Sequence, residues 1–221
     1  MYESLGSVRL KDGEQVQAGV VLGPDDLWAD RVCELLKHKG EIWRWGNAEC
    51  LRNDLGIDVR FYVLHRDNVP FANLFTITGG GVGHFGHVFT EPANRRKGAA
   101  VSLMALQMED FRTRSGRSGV AGGPCFLGTG YDSAPYHIYH GEGFRGIEAG
   151  SGTMEYYPES GAAFREHWFA PGPVEVRAAS WENWPTSGPL SVGDFPGTVR
   201  CAPLGMFRAR FDRGQLAAPD A

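Results

Sequence analysis

What the chain lacks narrows it first. Its four cysteines, Cys33, Cys50, Cys125 and Cys201, are scattered, with no CxxC spacing. That argues against a disulfide scaffold or a zinc ribbon and fits free thiols in a reducing compartment. Among the seven histidines there is no HExxH. His137 and His140 lie three apart on one expected helix, but no third ligand accompanies them, so no metal is expected. No apolar run approaches the ~18 residues of a membrane span, and no basic-then-apolar segment opens the sequence. A soluble, cytoplasmic protein is expected. The net charge of −4 gives no general attraction to nucleic acid or to an anionic membrane.

What is present suffices for one sizeable domain plus an extension: 221 residues, 42% hydrophobic and 12% aromatic. The chain is organised around residues 84–113. A β-prone run through Val88, Phe89 and Thr90 ends at Glu91-Pro92, where proline halts ladder pairing. Arg95-Arg96-Lys97-Gly98-Ala99-Ala100 follows. Val101, Met104, Ala105, Met108 and Phe111 then recur at helical spacing, which predicts a helix from about Gly98 with that stripe inward. A helix N-terminus presents unpaired N–H groups and a positive dipole end, and small residues let an anion come close. The turn is neither GxxxxGK[ST] nor a dinucleotide GxGxxG. Two readings stand side by side: a polyphosphate cradle, or a solvated basic turn between a core strand and an amphipathic helix.

The remaining elements follow from local signals. Residues 1–15 read as a loose lead-in and Val16–Leu22 as a strand. Asp25 or Asp26 caps a helix with Leu27, Trp28, Val32, Leu35 and Leu36 inward, ended by Gly40. Residues 41–56 form a second short helical segment, in which Trp43 and Trp45 either fill the core or wall a pocket. Val59–Leu64 and Pro70–Thr78 are strands, and Gly79–Gly83 is a turn. Residues 112–124 form a loop and Cys125–Thr129 a short buried strand. A helix over Tyr136–Gly141 precedes two last strands, Phe144–Ile147 and Thr153–Tyr157. A change of composition marks 158–173 as a linker. The 174–221 remainder is too short for an independent domain. In it Val174–Arg177 and Thr198–Cys201 are candidate strands, Trp181 and Trp184 are anchors, and the tail from Arg213 is expected to be disordered.

Arg95-x-x-Gly98-x-Ala100 resembles the [RQ]-x-x-G-x-[GA] acyl-CoA pyrophosphate signature of the GNAT N-acyltransferase superfamily. Tyr139-His140-Gly141-Glu142-Gly143-Phe144 is similar to that family's Y-x-x-x-G-F motif, and the two stand in order within residues 16–157 of a 1–157 domain. The resemblance implies an α/β (α+β) fold: a mixed, mostly antiparallel sheet flanked by helices, here with a short C-terminal appendage. Residues 174–185 faintly resemble the truncated opening of a second such unit.

The implied activity is direct transfer of an acetyl group from acetyl-CoA, without a metal or a covalent acyl-enzyme, to a primary amine of a small molecule or peptide. No nucleic-acid or membrane partner is implied, and a homodimer stays open. The implied cofactor contacts are Val88, Phe89 and Thr90 on a splayed strand whose N–H polarises the thioester carbonyl, the cradle of Arg95, Arg96, Lys97, Gly98, Ala99 and Ala100, and Asp132 and Tyr136. Asp132 stands where the family commonly has Asn. Tyr139 is the implied general acid, with Tyr136 behind it. As base, His84 is preferred over His87, since alternation puts the two on opposite strand faces; Glu91 ends the same strand. The alternatives are a catalytically inactive acyl-CoA-binding or regulatory module, and a GNAT-fold protein that hydrolyses or decarboxylates acyl-CoA.

Overall fold

A computed structural model describes residues 1–114 and 122–191. Its strands are β1 (Tyr2–Arg9), β2 (Gln15–Leu22), β3 (Asp58–Arg66), β4 (Val69–Gly79), β5 (Val82–Thr90), β6 (Cys125–Gly128), β7 (Arg145–Gly146) and β8 (Thr153–Tyr156). They form one sheet in the order β1-β2-β3-β4-β5-β6-β8-β7. Every ladder is antiparallel except β5–β6. The helices are α1 (Asp26–Leu35), α2 (Glu41–Arg52), α3 (Ala99–Thr113), α4 (Ala134–Gly141), α5 (Gly161–Trp168) and α6 (Asn183–Thr186). None is long and apolar enough to cross a membrane.

The sheet is buried on both faces, so its central strands read as near-continuous apolar runs. On β3, Val59, Phe61 and Val63 face the core under α1 and α2, while Tyr62 and Leu64 face the core under α3 and α4. Strand alternation thus divides one sequence run between two cores. Asp25 caps α1, its carboxylate accepting from the Trp28 amide at 3.0 Å. Gly23 lets the chain between β2 and α1 pass against α2, since a Cβ there would lie 2.1 Å from the Cys50 carbonyl oxygen.

Several expectations are corrected. Residues 1–15 are not a loose lead-in: β1 pairs with β2 over most of its length. A sheet-edge strand is half solvated, so its polar composition hides it. Leu27 does not face inward; it is 61% exposed, while Trp28, Ala29, Val32 and Leu35 are buried. Gly40 does not end α1 but stands at the N-cap of α2. On α3 the buried stripe is Leu103, Met104, Gln107, Met108 and Phe111, and Val101 and Ala105 are exposed. Asp110 shifts that stripe, because its carboxylate has buried partners to meet. The 158–173 stretch carries α5, which packs Phe164 and Trp168 against Phe126 and Tyr157. Val174–Arg177 joins no ladder, and Val174 and Val176 are 92% and 94% exposed; β propensity without a partner edge makes no strand. Trp184 is buried against Phe75, and Trp181 stacks on Trp45. Thr198–Cys201, the tail from Arg213 and part of the 112–124 loop lie outside the described residues.

One buried carboxylate ties α3 to the sheet. Asp110 accepts from the Tyr62 hydroxyl at 2.6 Å, Arg60 Nη1 at 3.2 Å and Arg114 Nε at 2.6 Å. Arg60 also donates to Asp58, and Arg114 reaches Glu3 on β1. Removing one member of a buried network leaves the others uncompensated. Asp110→Ala should therefore lower stability by about 3–5 kcal/mol, read from urea unfolding, whereas Tyr62→Phe should cost about 1 kcal/mol. Equal, small losses would show that the carboxylate is not the hub.

Candidate active site

β5 and β6 pair in parallel only at Gly83↔Cys125 and His84↔Phe126. Beyond His84 the strands diverge, so β5 from Phe85 to Thr90 runs without a ladder partner on its β6 side. β5 also carries a bulge. Gly86 pairs with Phe75 and Phe89 with Asn73, so β5 advances three residues while β4 advances two. His87 has φ +54°, the left-handed conformation that a bulge residue adopts. Its carbonyl accepts from Asn73 Nδ2 at 3.1 Å. The bulge corrects the expected alternation: His84 and His87 share the α1/α2 face. The His87 ring lies edge-on to Trp43 and stacked on Phe75, with centroids 4.6 and 5.1 Å away, and His84 lies 6.1 Å from Trp184.

After β5 the chain makes a 3₁₀ turn over Pro92–Asn94 and enters α3. Arg96 and Gly98 have φ +64° and +85°, and no side chain caps the helix. The first α3 amides are thus available to an anion, as a polyphosphate cradle requires. The three basic side chains do not act alike. Lys97 pairs with Asp12 at 2.9 Å. Arg95 turns back, donating to the Thr90 carbonyl at 3.0 Å with its guanidinium over the Phe89 ring. Arg96 makes no ion pair or side-chain hydrogen bond among the described residues. Sequence reasoning missed Lys11, whose side chain lies 3.3–3.6 Å from where a Cβ on Gly98 would be, and whose amide donates to the Lys97 carbonyl. The contact joins the β1–β2 turn to a helix far along the chain, so no local signal announces it.

Ser133 caps α4 by accepting from the Tyr136 amide. Asp132 pairs instead with His137 at 2.9 Å on the exposed side. Tyr136 lies against Tyr131 and His140. Tyr139 is 5% exposed, between Phe85 and Phe144. Phe85 is the first β5 residue past the last parallel pair, so Tyr139 stands where the strands part. Its hydroxyl makes no hydrogen bond among the described residues, and burial pushes the phenol pKa well up. Val88 packs in the α3/α4 core and Phe89 on the opposite face. Trp184, named an anchor from the sequence, brings its indole against His84, a neighbour that motif reading did not indicate. No group of three or more His, Cys, Asp or Glu among the described residues could hold a metal ion.

Comparison with known proteins bears on the fold. No family model matches the chain, and no curated protein matches it in sequence. Solved structures do. The GNAT domain of S. lividans PAT superposes with a TM-score of 0.50 at 12% identity, covering 69% of this chain and 96% of that one. Escherichia coli ribosomal-protein-S18-alanine N-acetyltransferase gives 0.47 at 11% identity, covering 64% and 95%. PaiA N-acetyltransferase from Thermoplasma acidophilum, solved with coenzyme A, gives 0.42 at 12%, covering 62% and 98%. The chain has the GNAT, or acyl-CoA N-acyltransferase, fold.

The buried imidazoles make stability depend on pH. Burial lowers the His84 pKa to about 4; burial, then Lys39 and His84, lower that of His87 to about 3. The unfolded chain therefore binds more protons once the pH falls below the ordinary histidine value near 6.5. The contribution is complete above that value and is lost as the pH falls toward 4 and then 3. His87→Asn, which tolerates a left-handed backbone, should flatten the decline of the urea midpoint between pH 6.5 and 4. Parallel curves for wild type and variant would exclude the linkage.

Proposed function

We propose that this protein is an acetyl-CoA-dependent N-acetyltransferase that moves an acetyl group directly to a primary amine of a small molecule or peptide. The observation that carries this reading is the parting of β5 from β6 after two parallel pairs, on a strand that leads directly into an uncapped helix N-terminus. The gap leaves a strand edge on which an extended pantetheine arm would pair, and Gly98, Ala99, Ala100 and Arg96 suit its pyrophosphate. Acetyl-CoA supplies the activated acyl group as cosubstrate. The free β5 backbone, past the bulge at His87, offers N–H groups to a developing oxyanion. Tyr139 is the proton donor to the departing thiolate: its raised pKa keeps it protonated across the neutral range.

His84 and His87 are neutral at pH 7 and face the side opposite α3 and α4. Of the two, His87 is the better placed to meet the acceptor, since it lies at the bulge and both its ring nitrogens lack a hydrogen-bond partner among the described residues, although the burial that lowers its pKa also makes it a weak base. His84 lies beneath Trp184. A second reading, an inactive CoA-binding module, is favoured by the closure of Trp43, Phe75 and Trp184 around both imidazoles.

Calorimetric titration with acetyl-CoA, CoA and ATP should show binding selective for the CoA species. Gly98→Trp should abolish it, and Arg96→Gly, which removes the guanidinium at a position whose left-handed backbone glycine adopts readily, should weaken it. Tyr139→Phe should lower kcat roughly 10²-fold with CoA affinity unchanged. CoA binding without thiol release for any amine would favour the inactive module. A well-folded protein that ignores CoA would remove both readings.

A further inference from the structure

A cleft of about 760 Å³ opens between α1, the β3–β4 turn and the end of β5, with Arg31, His38, Asp67, Phe89, Glu91 and Arg95 in its lining. Phe89, two residues past the bulge residue, belongs to the same core as Phe75 and Trp43, which hold His87. The cleft is thus on the side from which an acceptor would approach the bulge.

Its charges are not all paired. Asp30 is taken by Arg52 at 2.6 Å and Glu34 by Lys37, whereas Glu91 accepts only from the neutral side-chain amide of Asn94 at 3.2 Å and keeps its charge. The His38 ring lies against Phe89 at 4.0 Å, and burial, followed by Lys39, holds its pKa below the ordinary value. Asp67 makes no hydrogen bond or ion pair among the described residues. Beside Asp67 and Glu91 stand two guanidiniums with no acidic partner among the described residues. Arg31 lies over the Trp28 ring at 5.0 Å. Arg95 lies over the Phe89 ring at 5.9 Å, with only Nε committed to a carbonyl. Contact with the rings steadies both groups and leaves N–H groups free. A guanidinium so held has already lost rotamer freedom and presents the fork that a carboxylate matches. A simple amine or a polyamine would gain nothing from this pair, whereas a molecule that bears both an amine and a carboxylate has a partner for each sign of charge.

We infer that the acceptor is an amine that also bears a carboxylate, such as an amino acid or a short peptide, and that Arg31 and Arg95 receive that carboxylate in the α1-side cleft. The inference rests on the N-acetyltransferase reading and names the acceptor class for it. It also gives Arg95 a task away from the phosphate cradle, in keeping with where its side chain points.

The test measures thiol release from acetyl-CoA with matched acceptors: phenylalanine against phenethylamine, and alanyl-alanine against its C-terminal amide. The acid of each pair should be preferred. Arg31→Met keeps an unbranched side chain over Trp28. It should raise KM for the acids about tenfold, the order expected for one hydrogen bond to a charged group, leave kcat and CoA affinity in place, and erase part of the preference. Arg31→Lys should recover only a fraction, since an ammonium cannot fork. Equal turnover of acids and their neutral counterparts, an unmoved KM in Arg31→Met, or CoA binding with no acid turned over would each overturn the inference and leave CoA recognition standing. Absence of CoA binding would instead overturn the reading beneath it.

Discussion

Two parallel ladder pairs, Gly83 with Cys125 and His84 with Phe126, hold the two parts of the sheet together. Their closeness depends on Gly83, because a Cβ there would meet Cys125 Sγ, Phe111 and Thr78 at 3.3 Å. On one side lie the five antiparallel strands β1–β5; on the other lie β6, β8 and β7. Past His84 the parts separate, and polar backbone groups that a continuous sheet would pair need other partners. A gap that removes pairing for several residues costs stability unless something refills it. The fold therefore carries, within its own sheet, the outline of an extended ligand, and the bulge at His87 turns a second face of β5 toward the helices that flank the gap.

The sequence was most legible where the signal is local. The apolar runs of β3 and β4 mark a doubly covered sheet, Asp25 and Ser133 cap helices within three residues of themselves, and the Gly98 turn stands out by composition. The β3–β4 pair, the position of α3 and the Tyr139–Phe144 corner follow from these. β1 escaped because an edge strand with one solvated face looks like a polar loop. The orientation of His87 escaped because alternation assumes regular pairing, and the extra residue in β5 is set by the register of β4. Arg95 and Lys97 read as one basic cluster with Arg96, yet a Thr90 carbonyl and Asp12 draw them apart. None of these partners can be identified without knowing which strands lie side by side.

The distribution of charge follows a similar logic. Many cations among the described residues are consumed internally, among them Lys97 by Asp12, Arg66 by Glu14, Arg52 by Asp30, and Arg114 by Asp110. The exposed pairs contribute little stability, on the order of 1 kcal/mol or less each, but they hold the β1–β2 turn beside α3 and α2 beside α1. A chain of net charge −4 can therefore still present unpaired guanidiniums at particular points, because many of its other cations are neutralised locally. Net charge describes the long-range field of the molecule; the groups left over after internal pairing describe what each cleft selects.

The end of the described chain has a different consequence. Residues 170–180 are exposed throughout and join no ladder, whereas α6 after them is fastened to the sheet: Trp184 against Phe75 and His84, Pro185 against Gly79, Thr186 against Gly80. The covalent link and the packed anchor are thus separable. A single proteolytic nick in that tether would leave the anchor seated by packing alone, as a peptide whose residence on the sheet obeys mass action. The molecule would then behave as a two-fragment assembly, with the indole over His84 dependent on dilution and restored by added peptide.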